Sequence, residues 1–165
     1  MKPGLDWQRD GPRWPHHALS SFVWASGLQW HVQRFAGPEV APCLVLLHGT
    51  GASTHSWRDL APLLAQRFEV VAMDLPGHAF TGMPPGGVGS PQLSLPGMAR
   101  AVHGLLQALR LSPSLVVGHS AGAAGLNCAA GAITCVEVTS GSAQTNLPIT
   151  FGQPFRADNV AHHPN

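Results

Sequence analysis

Charge is scarce in this chain. Asp, Glu, Lys and Arg make up 10% of its 165 residues, the formal net charge is +1, and Lys2 is the only lysine. There is no basic stripe and no interleaving of basic with aromatic residues, which removes the electrostatic footprint of a nucleic-acid binder. Sparse surface charge leaves apolar area free for partners or for aggregation. Cysteine is also scarce. Cys43, Cys128 and Cys135 are odd in number and lack metal-ligand spacing, which argues against a secreted disulfide framework and against a zinc site. Cys43 opens an apolar run and reads as a small buried hydrophobe. The longest apolar run, Cys43 to Leu47, is far too short to span a membrane. Met1 to His17 is polar and proline-rich, without the apolar centre of a signal peptide, so a cytoplasmic location is expected. No G-x-x-x-x-G-K-[ST] loop exists to cradle ATP phosphates, and nothing implies a metal or another cofactor.

What is present suits one globular domain. Hydrophobic residues make up 44% of the chain. A domain of this size buries roughly 68–70% of its unfolded surface. Residues 1–15 carry Trp7, Trp14 and three prolines and read as an irregular arm that packs across a sheet edge. Phe22 to Ala25 and Leu28 to Arg34 read as a hairpin about Ser26-Gly27. In its second strand Leu28, Trp30, Val32 and Arg34 alternate with Gln29, His31 and Gln33, the period of a half-exposed antiparallel pair.

From Cys43 onward the pattern changes. Cys43 to Leu47, Val70 to Met73 and Leu115 to Val117 are continuously apolar, as strands buried on both faces of a parallel sheet are. Two helical stripes alternate with them. Ser56 to Gln66 carries Trp57, Leu60, Leu63 and Leu64, with Ser56 as N-cap; Ser94 to Leu111 carries Leu95, Met98, Val102, Leu105, Leu106 and Leu109. The alternation predicts an α/β domain over residues 16–138: an N-terminal β-hairpin, then a doubly wound parallel sheet. Thr81 to Gln92 is a Gly- and Pro-rich loop. Ile133 to Val138 reads as one more strand. Residues 139–165 are polar and aperiodic and are expected to form an irregular, disordered tail.

Gly118-His119-Ser120-Ala121-Gly122 directly follows the strand Leu115 to Val117 and precedes small, helix-compatible residues. This is G-x-S-x-G in the strand–turn–helix context that makes it a nucleophile elbow, with Ser120 as the candidate nucleophile. The tight turn requires Gly118 and Gly122. It aims the Ala121 N–H at a developing oxyanion. His48-Gly49-Thr50-Gly51 follows the strand Cys43 to Leu47. Its glycines let it fold close to the elbow, and the Thr50 N–H is the natural second oxyanion donor. His48 reads as a structural hydrogen-bonder. Asp74-Leu75-Pro76-Gly77-His78 follows Val70 to Met73. Asp74 is open to two readings, a triad acid or, the preferred one, the anchor of this loop; Gly77 and His78 read as structural. His119 reads as part of the pocket wall. The bland alternative for each loop is an ordinary βα turn.

These segments resemble the α/β-hydrolase superfamily, whose N-terminal half they would form. Within it, Leu5-Asp6-Trp7, Trp14-Pro15-His16, Leu28 to Gln33, His48 to Arg58, Asp74 to Thr81, Leu93 to Ala99 and Val116 to Ala124 resemble the BchO-type magnesium-chelatase accessory proteins of bacteriochlorophyll biosynthesis. Ala79 departs from that pattern, which usually has glycine after the Gly-His pair. The resemblance implies a role around magnesium insertion into protoporphyrin IX, with magnesium-chelatase subunits or the porphyrin as partners and ATP-driven chelation left to other subunits. A serine esterase or acyl-transfer enzyme acting through Ser120, or a non-functional fragment, are the alternatives. The superfamily order is Ser, then an acid, then His. Only 45 residues follow Ser120, among them Glu137, Asp158, His162 and His163. The four-residue step from Asp158 to His162 leaves no room for the strands that separate acid from base. Ser120–Asp158–His162 is therefore not expected to be a triad, and residues 125–165 read as a truncated or out-of-frame end.

Overall fold

The computed structural model describes residues 4–124 and 134–138. Six strands form one mixed sheet in the order β1-β2-β4-β3-β5-β6. They are β1 (Ser20–Ala25), β2 (Leu28–Phe35), β3 (Cys43–Leu47), β4 (Glu69–Met73), β5 (Leu115–His119) and β6 (Thr134–Val138). β1 and β2 form the expected hairpin, and β2 runs antiparallel to β4. β4, β3, β5 and β6 are mutually parallel; Leu46, for example, lies opposite Ala72 on one side and Val117 on the other. The three continuous apolar runs are thus the centre of the sheet. Their burial is complete in β3, where all five residues are buried.

Alternate residues of these strands feed two cores. On one face Trp30, Val32, Val45, Leu47, Val71 and Met73 pack against Ala101, Val102 and Leu105. These last three belong to α3 (Leu95–Ala108), whose N-cap Ser94 accepts from the Gly97 N–H. On the other face Leu44, Leu46, Val70, Ala72 and Val117 pack against Trp57 and Ala61.

The helix expected over Ser56 to Gln66 is instead two short pieces. Thr54–Trp57 is a 3₁₀ turn capped by Ser53, and α2 covers only Leu60–Leu64. Pro62 is the reason. It lacks an N–H and disfavours helical geometry in the residue before it, so it suits the first turn of a new helix, not the interior of a longer one. The apolar stripe is correspondingly imperfect, and Leu63 is 62% exposed.

The second correction concerns β2. His31 and Gln33 are buried, not solvent-facing. The N-terminal arm covers them. It contains a one-turn helix, α1 (Trp7–Asp10), and two 3₁₀ turns, Gly11–Arg13 and His17–Leu19. It lies over the face of the hairpin: the Trp7 ring sits 5.2 Å from Phe22 and 5.1 Å from His31. Gln33 Nε2 donates to the Pro15 carbonyl at 2.7 Å. The strand period was right; a polar stripe pointed at an aromatic arm instead of at water.

Ala79 lies in the left-handed region, with φ 43°. An L-residue there costs roughly 1–2 kcal/mol, a cost that glycine avoids. Ala79→Gly is expected to raise stability by about 0.5–1 kcal/mol once the greater freedom of the unfolded glycine is subtracted. The urea midpoint at constant slope would measure this, and an unchanged or lower midpoint would contradict it.

The sequence expectations for the tail, and for Asp158, His162 and His163, lie outside the described residues. No helix among the described residues is long and apolar enough to cross a membrane.

Candidate active site

The parallel strands β4, β3 and β5 lie side by side, so their C-terminal ends deliver three loops to one edge of the sheet. Open α/β sheets place their sites at this edge. β3 ends in the His48–Gly51 loop, β4 in Asp74, and β5 in Ser120.

Ser120 has φ 54°, a left-handed conformation that costs a non-glycine residue free energy. It is held there by its surroundings. The Ser120 carbonyl accepts from the Ala123 N–H at 2.9 Å, starting the short helix α4 (Ala121–Ala124). A Cβ on Gly118 would lie 2.6 Å from the Ala123 backbone, and one on Gly122 would lie 2.5 Å from the carbonyl oxygens of Leu47 and His48. Both are backbone collisions, so these glycines let strand, turn and helix fold tightly against the end of β3. Ser120 itself is exposed.

The His48–Gly51 loop is in contact with this turn. A Cβ on Gly49 would meet the Ser120 Cβ at 3.1 Å and His119 Nδ1 at 2.9 Å. Thr50 therefore follows a residue that touches the elbow, and Gly51, with φ 73°, turns the chain away. Neither the Thr50 nor the Ala121 N–H is engaged by another group among the described residues. The His119 ring rests on Gly49, half-buried, as part of the wall.

His48 is fully buried and both its nitrogens are committed. Nδ1 donates to the Gly49 carbonyl at 2.7 Å, and Nε2 accepts from the Leu75 N–H at 2.9 Å. It thereby ties the end of β3 to the end of β4. Only the neutral ring can serve both bonds, and burial pushes its pKa below the ordinary value; the Gly49 bond and Asp74 oppose the shift, while His78, with its ring 5.1 Å away, adds to it. His78 Nδ1 bonds the Pro76 carbonyl at 3.0 Å, and Gly77 sits at φ 74° in the same turn. The pH consequence has a definite sign. The unfolded chain binds a proton at His48 near pH 6.5, and the folded chain does so only at lower pH. The stability from neutral His48 is therefore complete above about pH 6.5 and is lost as pH falls from there through the lowered folded value. Urea midpoints should fall between pH 7 and pH 5. His48→Gln should flatten that dependence, and an undiminished slope in this variant would assign it to another group.

Asp74 is fully buried and saturated with donors. Oδ1 accepts from the Thr54 N–H at 2.7 Å; Oδ2 accepts from the Phe80 N–H at 3.2 Å and from His31 Nδ1 at 2.7 Å. It fastens both site loops to the hairpin, and no bond connects it to Ser120. His31, Thr54 and Gln33 were not singled out from the sequence. The available signal was the polar stripe of β2 facing two arm tryptophans. Trp14 reaches the same cluster, donating from Nε1 to Thr54 Oγ1 at 3.1 Å. Among the described residues no group of three or more His, Cys, Asp or Glu side chains is placed to hold a metal ion.

An exposed serine on a strained strand–turn–helix corner, beside a Gly-rich loop at the same sheet edge, is the architecture of one large class of proteins. Residues 42–133, over half of the chain, match the family of the alpha/beta hydrolase fold, and the chain belongs to that family. It is 37% identical over 111 residues to the magnesium-chelatase 30 kDa subunit of Rhodobacter capsulatus, covering 67% of this chain and 37% of that one. It is 36% identical over 81 residues to a fluoroacetate dehalogenase of a Burkholderia species, covering 49% and 27%. Among solved structures, an alpha/beta hydrolase fold protein from Burkholderia ambifaria superposes with a TM-score of 0.56 at 30% identity, covering 66% of this chain and 37% of that one. The chain thus spans about a third of the length of these relatives.

Proposed function

We propose that this chain is an accessory protein of magnesium insertion into protoporphyrin IX in bacteriochlorophyll synthesis, working on an α/β-hydrolase scaffold with magnesium-chelatase subunits or the porphyrin as its partners. The observation that carries the reading is the 111-residue similarity to the Rhodobacter capsulatus magnesium-chelatase subunit. The site supports a binding or assisting role. It offers an exposed serine and backbone donors unengaged among the described residues, while the imidazole of His48, at the end of β3, is held in other bonds. Such an edge can receive a carboxylate or carbonyl oxygen without cleaving anything.

The test is magnesium-protoporphyrin formation by a reconstituted ATP-dependent chelatase, followed by porphyrin fluorescence, with and without the 165-residue chain. A dose-dependent rise in rate is expected. An unchanged rate, together with no change in porphyrin absorbance on mixing, would overturn the reading. A second reading, a serine acyl hydrolase, is favoured by the left-handed Ser120 alone. Turnover of short aryl esters, abolished by Ser120→Ala, would establish it.

A further inference from the structure

We propose that Ser20 is a second nucleophilic serine, activated by a buried His31–Asp74 pair and open to covalent modification by acyl or phosphonyl donors.

Away from the elbow, three side chains form a hydrogen-bonded relay of serine, imidazole and carboxylate. Ser20 Oγ lies 2.9 Å from His31 Nε2, and His31 Nδ1 lies 2.7 Å from Asp74 Oδ2. An ionised carboxylate only accepts, so Nδ1 carries the proton toward Asp74 and Nε2 presents its lone pair to Ser20. Gln33 fixes the remaining direction. Its Nε2 donates to Ser20 Oγ at 3.1 Å and to the Pro15 carbonyl at 2.7 Å. The serine oxygen thus accepts from Gln33 and aims its own proton at the imidazole. This is the arrangement by which an imidazole, oriented by a carboxylate, serves as base to a hydroxyl.

The surroundings suit that chemistry. His31 and Asp74 are fully buried. The imidazole is enclosed by Trp7 at 5.1 Å and by Phe22 and Phe80, each at 5.4 Å between ring centres. The Thr54 and Phe80 N–H groups hold the carboxylate in place. Ser20 itself is only partly buried. It opens β1, an edge strand with no further strand beside it among the described residues. The base is dry and the nucleophile stands at the rim.

The reaction is one covalent step. As Ser20 Oγ bonds to the phosphorus of an alkyl fluorophosphonate, the P–F bond breaks and fluoride leaves with the electron pair. The serine proton passes to His31 Nε2, and the imidazolium faces Asp74 until it releases that proton to water. An acyl donor with a good leaving group follows the same course at carbon. The resulting ester no longer donates to His31, so modification at Ser20 also loosens the contact that seats the arm through Gln33.

The test uses the full chain carrying Ser120→Ala, treated with an alkyl fluorophosphonate and mapped by tandem mass spectrometry over the tryptic peptide 14–34. That peptide contains its own controls: Ser21 is adjacent and exposed, without a base. General-base assistance is worth about 10²–10⁴-fold, so the adduct at Ser20 should exceed that at Ser21 by about 100-fold or more. In urea the two should label alike. His31→Gln should remove the preference. No adduct at Ser20, equal labelling of Ser20 and Ser21 in the folded chain, or undiminished preference in a folded His31→Gln variant would each overturn the proposal. The within-peptide ratio decides the matter even where that variant fails to fold.

Discussion

Asp74→Ala is expected to cost about 3–5 kcal/mol, enough to leave the chain largely unfolded at 37 °C. The carboxylate is fully buried, and three donors converge on it: two backbone N–H groups, from Thr54 and Phe80, and His31 Nδ1. Alanine leaves all three without an acceptor in a place water does not reach. Each orphaned buried donor costs about 1–3 kcal/mol, and removing one partner of a buried pair costs about 3–5 kcal/mol. These penalties overlap and do not add. Even the smaller one is a large share of the roughly 5–15 kcal/mol that holds a domain together. The damage should reach far, because the carboxylate links three segments distant in sequence: the hairpin, the loop after β3 and the loop after β4. Asp74→Asn keeps one acceptor oxygen and should lose less, about 1–3 kcal/mol. Urea denaturation followed by far-ultraviolet circular dichroism distinguishes the outcomes. A loss below about 1 kcal/mol for alanine would mean that the converging donors find other partners.

That cluster also marks the boundary of what could be read without coordinates. The runs Cys43 to Leu47, Val70 to Met73 and Leu115 to Val117 announced the central strands because burial on both faces leaves no polar residue to blur the pattern. The elbow was legible because a tight turn after a strand admits little besides glycine at its flanks, and the close approaches of Gly118 and Gly122 follow from that. Asp74, whose preferred reading was a loop anchor, accepts from the Thr54 and Phe80 N–H groups. The destinations of His31 and Gln33 were hidden. Alternation along a strand reports which residues share a face, but not what covers it. Here the cover is Trp7, distant in sequence, whose position depends on tertiary packing and on a helix of only four residues. The stretch from Ser56 to Gln66 misled for a different reason. Its apolar spacing satisfied a helix, while Pro62 reset the backbone inside it.

Ser120 is expected to react with fluorophosphonates and aryl esters roughly 10⁴-fold or more slowly than the serine of a complete triad. Serine hydrolysis needs a nucleophile, oxyanion donors and a base within reach. Ser120 is exposed at φ 54°, and the Thr50 and Ala121 N–H groups, proposed as the oxyanion donors, are unengaged among the described residues. No described histidine is hydrogen-bonded to the Ser120 hydroxyl, and several have other neighbours. His48 spends both nitrogens on Gly49 and Leu75, His78 bonds Pro76, His31 bonds Asp74 and Ser20, and the His119 ring rests on Gly49. Without a triad member, the oxyanion donors and binding leave about 10³–10⁴-fold acceleration over water. Labelling must be resolved by peptide, since an adduct at Ser20 is expected from the same reagent. The measurement is the rate of adduct formation on the Ser120 peptide, compared with a serine hydrolase of this fold under the same conditions. Fast stoichiometric labelling there, lost in Ser120→Ala, would show that a base reaches the elbow. A His162→Ala variant would then show whether His162 supplies it: if labelling persists, the proton goes elsewhere, and if it collapses, the acid–base spacing argument against Asp158 and His162 fails.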